Sequence, residues 1–225
     1  MVPQWLDPLL TGLQKQGTLI DGRTPHTHST RMAAVLVLFG GDPDAVDRPG
    51  DASVVLTHRN PTMRHHAGQM AFPGGKMDPT DRDAEDTALR EAWEEIGLRR
   101  SEVTPLISLD PLAVRKNGTP VVPVLAYWDS PGRVYPRSVD ETDDVFAASI
   151  NTLVNPDNRV MVQWGTWQGP AFRVNDYLVW GFTGGVLSAL LAKAGWSVRW
   201  DDTTVSKLED ELADSKNQER ILKRL

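Results

Sequence analysis

Apolar residues recur at helical spacing in four stretches of the chain. The first predicts a short helix over residues 4–16, followed by a polar linker over 17–29. A four-residue period of Ala and Ile predicts a helix over 83–98, with aspartates near its start and a Gly near its end. Helical patterns also cover 176–194 and, among many charges, 203–225. The last helix would be amphipathic and would cover its own chain or, alternatively, a second copy in a homodimer.

Short apolar runs predict the strands of a sheet. They are bounded by Gly, Pro, Asn and Asp, as strands usually are. The predicted strands cover residues 31–39, 53–59, 103–114, 120–128, 160–167 and 171–174. We expect a turn at 116–118 and a hairpin turn at 168–170. Strands that surround helices in this order indicate a mixed α/β sandwich.

Composition and charge narrow the class of protein. With 225 residues, 40% of them hydrophobic and 24% charged, the chain can bury a sizeable core. We expect an N-terminal helix and linker over 1–30, a main domain over 31–200 and a C-terminal amphipathic helix over 201–225. The net charge of −6 argues against nonspecific binding to nucleic acid, whereas a small anionic substrate remains compatible with it.

Two absences in the sequence exclude further classes. There is no cysteine, so neither a disulfide framework nor a thiol nucleophile nor a cysteine-ligated metal is available. The N-terminal sequence lacks the basic start and apolar run of a secretory signal, and no stretch approaches the roughly twenty apolar residues of a membrane span. We therefore expect no membrane partner and a cytoplasmic location.

Three glutamates lie on adjacent turns of the helix predicted over 83–98. Glu91, Glu94 and Glu95 are three and four residues apart, so a helix places them on one surface. Like charges at this spacing repel, and a divalent cation would remove the repulsion. Carboxylate oxygens suit Mg²⁺ or Mn²⁺, which also takes water and phosphate oxygens as ligands. The alternative is that the glutamates only solvate an exposed helix face.

The neighbours of these glutamates extend the pattern. An apolar stripe of Ala and Ile, widened by Trp93, predicts that one side of the helix is buried. Arg90 directly precedes Glu91, and its planar guanidinium could hold a carboxylate of the cluster in place. The alternative for Arg90 is an exposed pair with Glu94 or Asp86, one helical turn away.

This region resembles the Nudix box, G-x5-E-x7-R-E-U-x-E-E-x-G-U, in which U is aliphatic. Its second half is matched by Arg90, Glu91, Ala92, Glu94, Glu95, Gly97 and Leu98. The first half departs, because Gly75 lies fifteen residues before Arg90 instead of fourteen. The early Glu of the box would fall at Arg82, and either Asp81 or Asp83 could take its role.

A second motif precedes the box and resembles one subgroup of the family. Coenzyme A pyrophosphatases carry approximately L-L-T-x-R-S-x3-R-x3-G-x3-F-P-G-G. The corresponding residues here are Val55-Leu56-Thr57-His58-Arg59-Asn60, Arg64, Gly68 and Phe72-Pro73-Gly74-Gly75, and only Val55, in place of the first Leu, and Asn60, in place of the Ser, differ. The same subgroup has a lengthened box beginning G-G-K-x-D-P-x-D, as residues 74–81 have. Two spaced motifs are far more specific than a lone glycine pair.

The resemblance implies a fold, a reaction and a set of residues. The fold would be α/β, a Nudix-type α/β/α sandwich with a mixed sheet and helical decorations at both ends. The reaction would be divalent-metal-dependent hydrolysis of the pyrophosphate of coenzyme A, or a derivative, to 3′,5′-ADP and 4′-phosphopantetheine or its acyl form. The catalytic residues would be Arg90, Glu91, Glu94, Glu95 and Glu141. Three of them, Glu91, Glu94 and Glu95, would hold Mg²⁺ or Mn²⁺.

Further residues suit a polyanionic substrate. The expected substrate-binding residues are Arg59, Arg64, Gly68, Gly74, Gly75 and Lys76. Their cationic side chains could bind phosphate oxygens, and the glycine amides could face the diphosphate. The alternatives are loop solvation for the cations and chain turning for the glycines. Glu141, in an acidic stretch before a Val-Phe pair, could bind a cation or accept a proton from water, or belong to a solvated turn.

Two other functions remain open at this stage. A Nudix hydrolase could act on another nucleoside diphosphate derivative such as ADP-ribose or NADH, because the metal helix is indifferent to what flanks the anhydride. The alternative of a non-catalytic binding module on the same scaffold is disfavoured by the intact carboxylate triplet. Without a bound metal ion, nothing would offset the repulsion between the three glutamates.

Overall fold

Two sheets and five helices make up the part of the chain that the computed structural model describes, residues 2–15, 19–20, 32–114 and 119–219. Among these residues the helices are α1 (Asp7–Lys15), α2 (Ala84–Ile96), α3 (Ile150–Val154), α4 (Gly181–Lys193) and α5 (Leu208–Ala213). Short 3₁₀ helices cover Gln4–Leu6, Arg100–Glu102 and Pro156–Asn158. None of the described helices has the length and apolar character needed to cross a membrane.

The larger sheet is mixed. Its eight strands within the described ranges are β1 (Ala33–Gly40), β2 (Ser53–Arg59), β3 (Met70–Ala71), β4 (Gly74–Lys76), β5 (Val103–Ser108), β6 (Leu112–Ala113), β7 (Pro120–Trp128) and β8 (Thr142–Ser149). The central pair, β1 and β7, is parallel, while β1 pairs antiparallel with both β2 and β4. Every residue of β7 is buried, as expected for a strand covered on both faces.

The smaller sheet lies towards the C-terminus. Its strands, in spatial order, are β11 (Tyr177–Val179), β10 (Trp167–Val174), β9 (Arg159–Trp164) and β12 (Val205–Lys207). Helix α5 closes one of its faces, because Leu208 and Leu212 pack with Val162 and Leu178 in a small core. The apolar side of α5 is therefore covered by the same chain.

Alternating residues of β1 divide the main core into two layers. Leu36 and Leu38 pack with α2 on one face of the sheet. Val37 and Phe39 point to the opposite face, where they share a core with residues of α1 and α4. The period of two along a strand produces this division. The predicted α/β/α sandwich with a mixed sheet is thereby confirmed.

Several predicted elements have different bounds in the structure, among them one helix and one hairpin. The helix predicted from residue 176 begins at Gly181, because Tyr177–Val179 pairs with β10 instead. The hairpin turn lies at 165–166 instead of 168–170, since Trp164 pairs with Trp167. Gly165, with φ 59°, provides the left-handed conformation that this turn requires.

The C-terminal pattern is also shorter as a helix than predicted. Over 203–219 the chain forms strand β12 and then α5, which ends at Ala213. Residues 205–207 belong to a stretch with a helical pattern of apolar residues, but they form a strand because they pair with β9. Residues 220–225, the turn predicted at 116–118 and most of the linker predicted over 17–29 lie outside the described residues.

Candidate active site

Helix α2 presents two of its glutamates, Glu91 and Glu95, to the short strand β4. The helix is capped by Asp83, whose carboxylate accepts the Asp86 amide at 2.8 Å, and it ends at Gly97 with φ 72°. Buried Ala88 and Ala92 allow the helix to approach the sheet closely. The helix also contacts β4. Its side that bears Glu91 and Glu95 faces the Gly74–Lys76 backbone.

Glu95 is the most enclosed of the acidic side chains on α2, with 3% of its surface exposed. Its Oε2 accepts the Gly74 amide at 3.1 Å, and its Oε1 lies 3.9 Å from Nη1 of Arg59. Burial raises the pKa of Glu95 to about 7, although Gly74 and Arg59 act in the opposite direction. Near pH 7 about half of this carboxyl group is therefore protonated, and a bound cation would displace the proton.

Glu91 lies one turn before Glu95 in a less enclosed position. Burial raises its pKa, Arg90 counteracts this effect, and the negative charges of Glu94 and Glu141 add to the rise. Its carboxylate is 3.0 Å from Nη2 of Arg90 and packs against the backbone of Gly75. Two partly desolvated carboxylates thus share one surface, which concentrates negative charge where a cation could bind.

Glu94 has a different environment from the other two glutamates. Its side chain is 55% exposed and accepts Nη1 of Arg90 at 3.1 Å. The adjacent Trp93, which the apolar stripe placed on the buried side, is 43% exposed with the Arg137 guanidinium 4.2 Å from its ring centroid. The three glutamates therefore do not share one environment, because Glu94 points outward and pairs with Arg90.

Arg90 connects α2 to the loop that precedes it. Its Nε and Nη2 donate to the two carboxylate oxygens of Asp81, each at 2.9 Å, and the Thr87 hydroxyl also donates to Asp81. Arg90 holds the pKa of Asp81 at about 2. Asp83 caps the helix, so of the two aspartates it is Asp81 that contacts Arg90.

The predicted phosphate-binding cations occupy three different environments. Arg59, at the end of β2, has a buried Nε with no hydrogen-bond partner among the described residues. Arg64 is exposed in the loop between β2 and β3. Lys76 has an exposed side chain, and its carbonyl accepts Nη2 of Arg90 at 3.0 Å. The structure therefore brings Arg59 next to Glu95 and leaves the other two cations available to a ligand.

The glycines of the motif have structural roles that differ from the prediction. The Gly68 amide donates to the Arg59 carbonyl at 2.9 Å, and the Gly74 amide donates to Glu95. Both amides are therefore bonded within the chain in this structure, and a contact of either with a diphosphate stays a prediction. Gly74, with φ 155°, has no room for a Cβ against Ala34 and Val35. A Cβ on Gly75 would overlap the Glu91 carboxylate, so this glycine makes room for an acidic side chain.

Glu141 approaches the same site from another element. It is exposed just before β8, and its carbonyl accepts the Asn60 amide at 2.9 Å. Its charge contributes to the raised pKa of both Glu91 and Glu95, after the larger effect of burial. The loop glutamate predicted from the acidic stretch thus lies within electrostatic reach of the α2 carboxylates.

These residues fit a hydrated divalent cation better than a fully protein-bound one. In the described ranges no group of three or more His or acidic side chains forms a closed metal cage. Mg²⁺ commonly takes one or two protein carboxylates and completes its shell with water and substrate phosphates. Glu91 and Glu95 supply such a pair, and the Arg59 guanidinium beside Glu95 supplies a positive charge for an anion at the same place.

Sequence reasoning missed a contact from the C-terminal segment. Asn217 is fully buried, and its carbonyl lies 3.0 Å from Nε2 of His58, beside the motif residue Arg59. Glu219 accepts the Gln69 side-chain amide at 2.5 Å. No local pattern in the sequence signals these contacts, because about 150 residues separate the partners.

The chain is similar to known proteins over about three quarters of its length. Over 176 residues the chain is 33% identical to Nudix hydrolase 15, mitochondrial, of Arabidopsis thaliana, an alignment that covers 73% of this chain and 59% of that protein. Over 183 residues it is 33% identical to NudL of Klebsiella pneumoniae, described as an uncharacterized Nudix hydrolase, with 76% and 86% covered. This chain thus spans only about three fifths of the length of the plant relative.

A solved structure and a family model complete the comparison. The crystal structure of RenU, a Nudix hydrolase from M. smegmatis, matches with 25% identity and a TM-score of 0.43, covering 54% of this chain and 72% of that one. The family model described as NUDIX domain matches residues 30–167, more than half of the chain. Together with the 33% identity to NudL over most of both sequences, this match shows that the chain belongs to the Nudix family.

Proposed function

We propose that this chain hydrolyses the diphosphate bridge of coenzyme A or a derivative, with Mg²⁺ or Mn²⁺, to 3′,5′-ADP and 4′-phosphopantetheine or its acyl form. The observation that carries the proposal is the position of Arg59. Its guanidinium lies 3.9 Å from the buried carboxylate of Glu95 and keeps one buried donor unpaired among the described residues. A cation and an acidic pair side by side suit a phosphate that also binds a metal ion.

The roles of the side chains follow from their environments. When bound, the metal ion would neutralise phosphate charge and lower the pKa of water. Glu91 and Glu95 would hold it, and Asp81 would orient Arg90 next to them. Arg59 would bind a phosphate oxygen through the exposed part of its guanidinium, next to Glu95. Glu141, exposed just before β8, is suited to accept the proton of the attacking water.

Coenzyme A is favoured over other diphosphates by the cations outside the metal site. Its 3′-phosphate requires positive groups beyond those that face the diphosphate, and Arg64 and Lys76 are exposed near the same strand ends. The alternative substrates, ADP-ribose and NADH, would use the same α2 carboxylates. A purely binding role is less favourable, because a buried Glu95 with a raised pKa costs stability that a bound cation would recover.

A substrate panel tests the proposal. Purified protein with Mg²⁺ or Mn²⁺ would be incubated with coenzyme A, ADP-ribose, NADH and nucleoside triphosphates, and the products separated. We expect the highest kcat/KM for coenzyme A, with 3′,5′-ADP and 4′-phosphopantetheine as products. A higher kcat/KM for ADP-ribose or NADH would replace the proposed substrate and keep the hydrolase. No turnover of any compound would contradict the hydrolase itself.

Arg64→Ala should separate 3′-phosphate binding from hydrolysis. We expect KM for coenzyme A to rise about tenfold, as for the loss of one charge-assisted hydrogen bond. KM for dephospho-coenzyme A, which lacks the 3′-phosphate, should change by less than about twofold. The measurement is steady-state kinetics on both compounds, with Arg199→Ala as a control at another exposed arginine. Equal rises for both compounds would remove the 3′-phosphate role of Arg64.

Asp81→Asn and Asp83→Asn should have opposite outcomes although the two positions are neighbours. Asp81→Asn removes the charge that orients Arg90 and should lower kcat/KM by about ten- to a hundredfold, the usual range for groups that support metal ligands. Asp83→Asn should leave kcat/KM nearly unchanged, because Asn caps a helix as well as Asp does. Kinetics and thermal unfolding of both variants check this. Equal losses would contradict the assignment of Asp81.

A further inference from the structure

The loop that carries Arg64 is held at its base by the C-terminal end of the described chain. This loop, residues 60–69 (the Arg64 loop), connects β2 to β3. Its base closes on itself, with the Arg59 amide donating to the Gln69 carbonyl and the Gly68 amide to the Arg59 carbonyl, both at 2.9 Å. These bonds fix the two ends of the loop but none of them reaches its exposed tip.

Residues 216–219, which we call the C-terminal strap, are fixed to the smaller sheet. The Lys216 amide donates to the Asp176 carbonyl at 2.8 Å. The Asn217 side chain, fully buried, accepts the Leu178 amide at 2.8 Å and donates to the Leu178 carbonyl at 3.0 Å. The Asn217 side chain thus bonds the backbone of β11 as a neighbouring strand would, and this attaches the strap to the smaller sheet.

The other side of the strap contacts the base of the Arg64 loop. The Asn217 carbonyl lies 3.0 Å from Nε2 of His58, whose Nδ1 is 2.6 Å from Asp143. Gly68, at φ 73°, leaves no room for a Cβ against the strap backbone at Asn217 and Glu219. The strap and the loop therefore pack backbone to backbone, an approach that only glycine permits here.

Glu219 of the strap is linked through Gln69 to His66, a residue nearer the tip of the loop. Its carboxylate accepts two donors, Nε1 of Trp180 at 2.9 Å and Nε2 of Gln69 at 2.5 Å. With its amide group fixed in this way, Gln69 turns its Oε1 to Nδ1 of His66, at 2.8 Å. A continuous chain of hydrogen bonds therefore runs from Trp180 through Glu219 and Gln69 to His66. His66, with φ 57°, lies two residues after Arg64 in the same loop.

We propose that Glu219 is a positioning residue that sets the conformation of the Arg64 loop for the 3′-phosphate of the substrate. This inference rests on the proposed function for the role of Arg64, while the link between the strap and the loop conformation does not. A carboxylate is required because two donors must be accepted by two oxygens. A carboxamide has a single oxygen, so it would satisfy one donor and present its own N–H group to the other.

Glu219→Gln tests the proposal with two readouts. The first is KM for coenzyme A and for dephospho-coenzyme A. We expect KM for coenzyme A to rise about fivefold to tenfold with kcat nearly unchanged, and KM for dephospho-coenzyme A to stay within about twofold. The second is the rate of trypsin cleavage after Arg64 in the ligand-free full chain, which should rise several-fold. Glu209→Gln, at an exposed glutamate in α5, is the matched control.

The outcomes separate this inference from the proposed function. If the parent chain hydrolyses neither compound, the proposed function fails and trypsin cleavage alone decides whether the strap holds the loop. If the parent is active, an unchanged KM for coenzyme A in Glu219→Gln overturns the positioning role. Gln69→Met should reproduce the effect, and the double variant should be no worse than either single one. Additive effects of the two changes would contradict a single chain of hydrogen bonds.

Discussion

Glu95→Gln should reduce hydrolysis roughly a thousandfold while leaving the fold intact. The substitution removes charge and almost no volume, and the amide oxygen can still accept the Gly74 amide. The large effect is expected because Glu95 is one of the two carboxylates on α2 that face β4. The measurement is kcat/KM for coenzyme A at saturating Mg²⁺, with circular dichroism to check the fold. Glu94→Gln, at an exposed position paired with Arg90, should lose much less activity. A smaller loss for Glu95→Gln than for Glu94→Gln would reverse the ligand assignment.

The same variant makes a prediction about stability and pH. Burial raises the pKa of Glu95 from the usual 4.5 to about 7, so the folded metal-free chain retains a proton that the unfolded chain releases. Below about pH 4.5 both states are protonated and there is no penalty. As the pH rises to about 7 the free energy of unfolding should fall, by at most roughly 3 kcal/mol from this group. Glu95→Gln lacks this component, so its stability relative to the parent should increase over that interval. Urea unfolding in EDTA at several pH values measures the difference, and a constant difference would contradict the raised pKa.

Gly75→Ala should reduce kcat/KM about a hundredfold with little change in the unfolding temperature. An added Cβ overlaps the carboxylate of Glu91, the flexible end of a side chain, so Glu91 would move while the backbone stays. A misplacement of about 1 Å at a reacting centre can have an effect of this size.

The matched control for this change is Gly50→Ala, because a Cβ at Gly50 would meet no atom within 4 Å. We expect Gly50→Ala to keep full activity. If Gly75→Ala were as active as Gly50→Ala, then Glu91 would not need its present position, and its role as a metal ligand would be wrong. Kinetics and thermal unfolding of the two variants decide between these outcomes.

The sequence was informative about the fold where one period was dominant. The bounds of β2 and β7 agree with the prediction, and α2 lies within the predicted range. The prediction failed where the apolar residues of a segment fit both a helix and a strand. Tyr177–Val179 continues into a helical pattern, and only its pairing with β10 makes it a strand. Residues 205–207 likewise become a strand through pairing with β9, a long-range contact that local propensity does not encode.

For the site, residue types were predictable and their environments were not. The spacing of Glu91, Glu94 and Glu95 placed them on one helix, but their exposure depends on how closely β4 approaches that helix. Asp81 and Asp83 have the same chemistry two residues apart, and only the fold assigns one to Arg90 and the other to the helix cap. The contact of Glu219 with Gln69 joins distant parts of the chain and has no local signature.

Binding of Mn²⁺ to the parent chain and to the Glu91→Gln/Glu95→Gln double variant tests the central claim most directly. Free Mn²⁺ would be followed by electron paramagnetic resonance at about pH 7.5, above the raised pKa of Glu95, where most of the carboxyl group is ionised. We predict saturable binding by the parent and an affinity at least about a hundredfold lower for the double variant. Equal affinity of the two proteins for Mn²⁺ would show that the metal site lies elsewhere and would contradict the account.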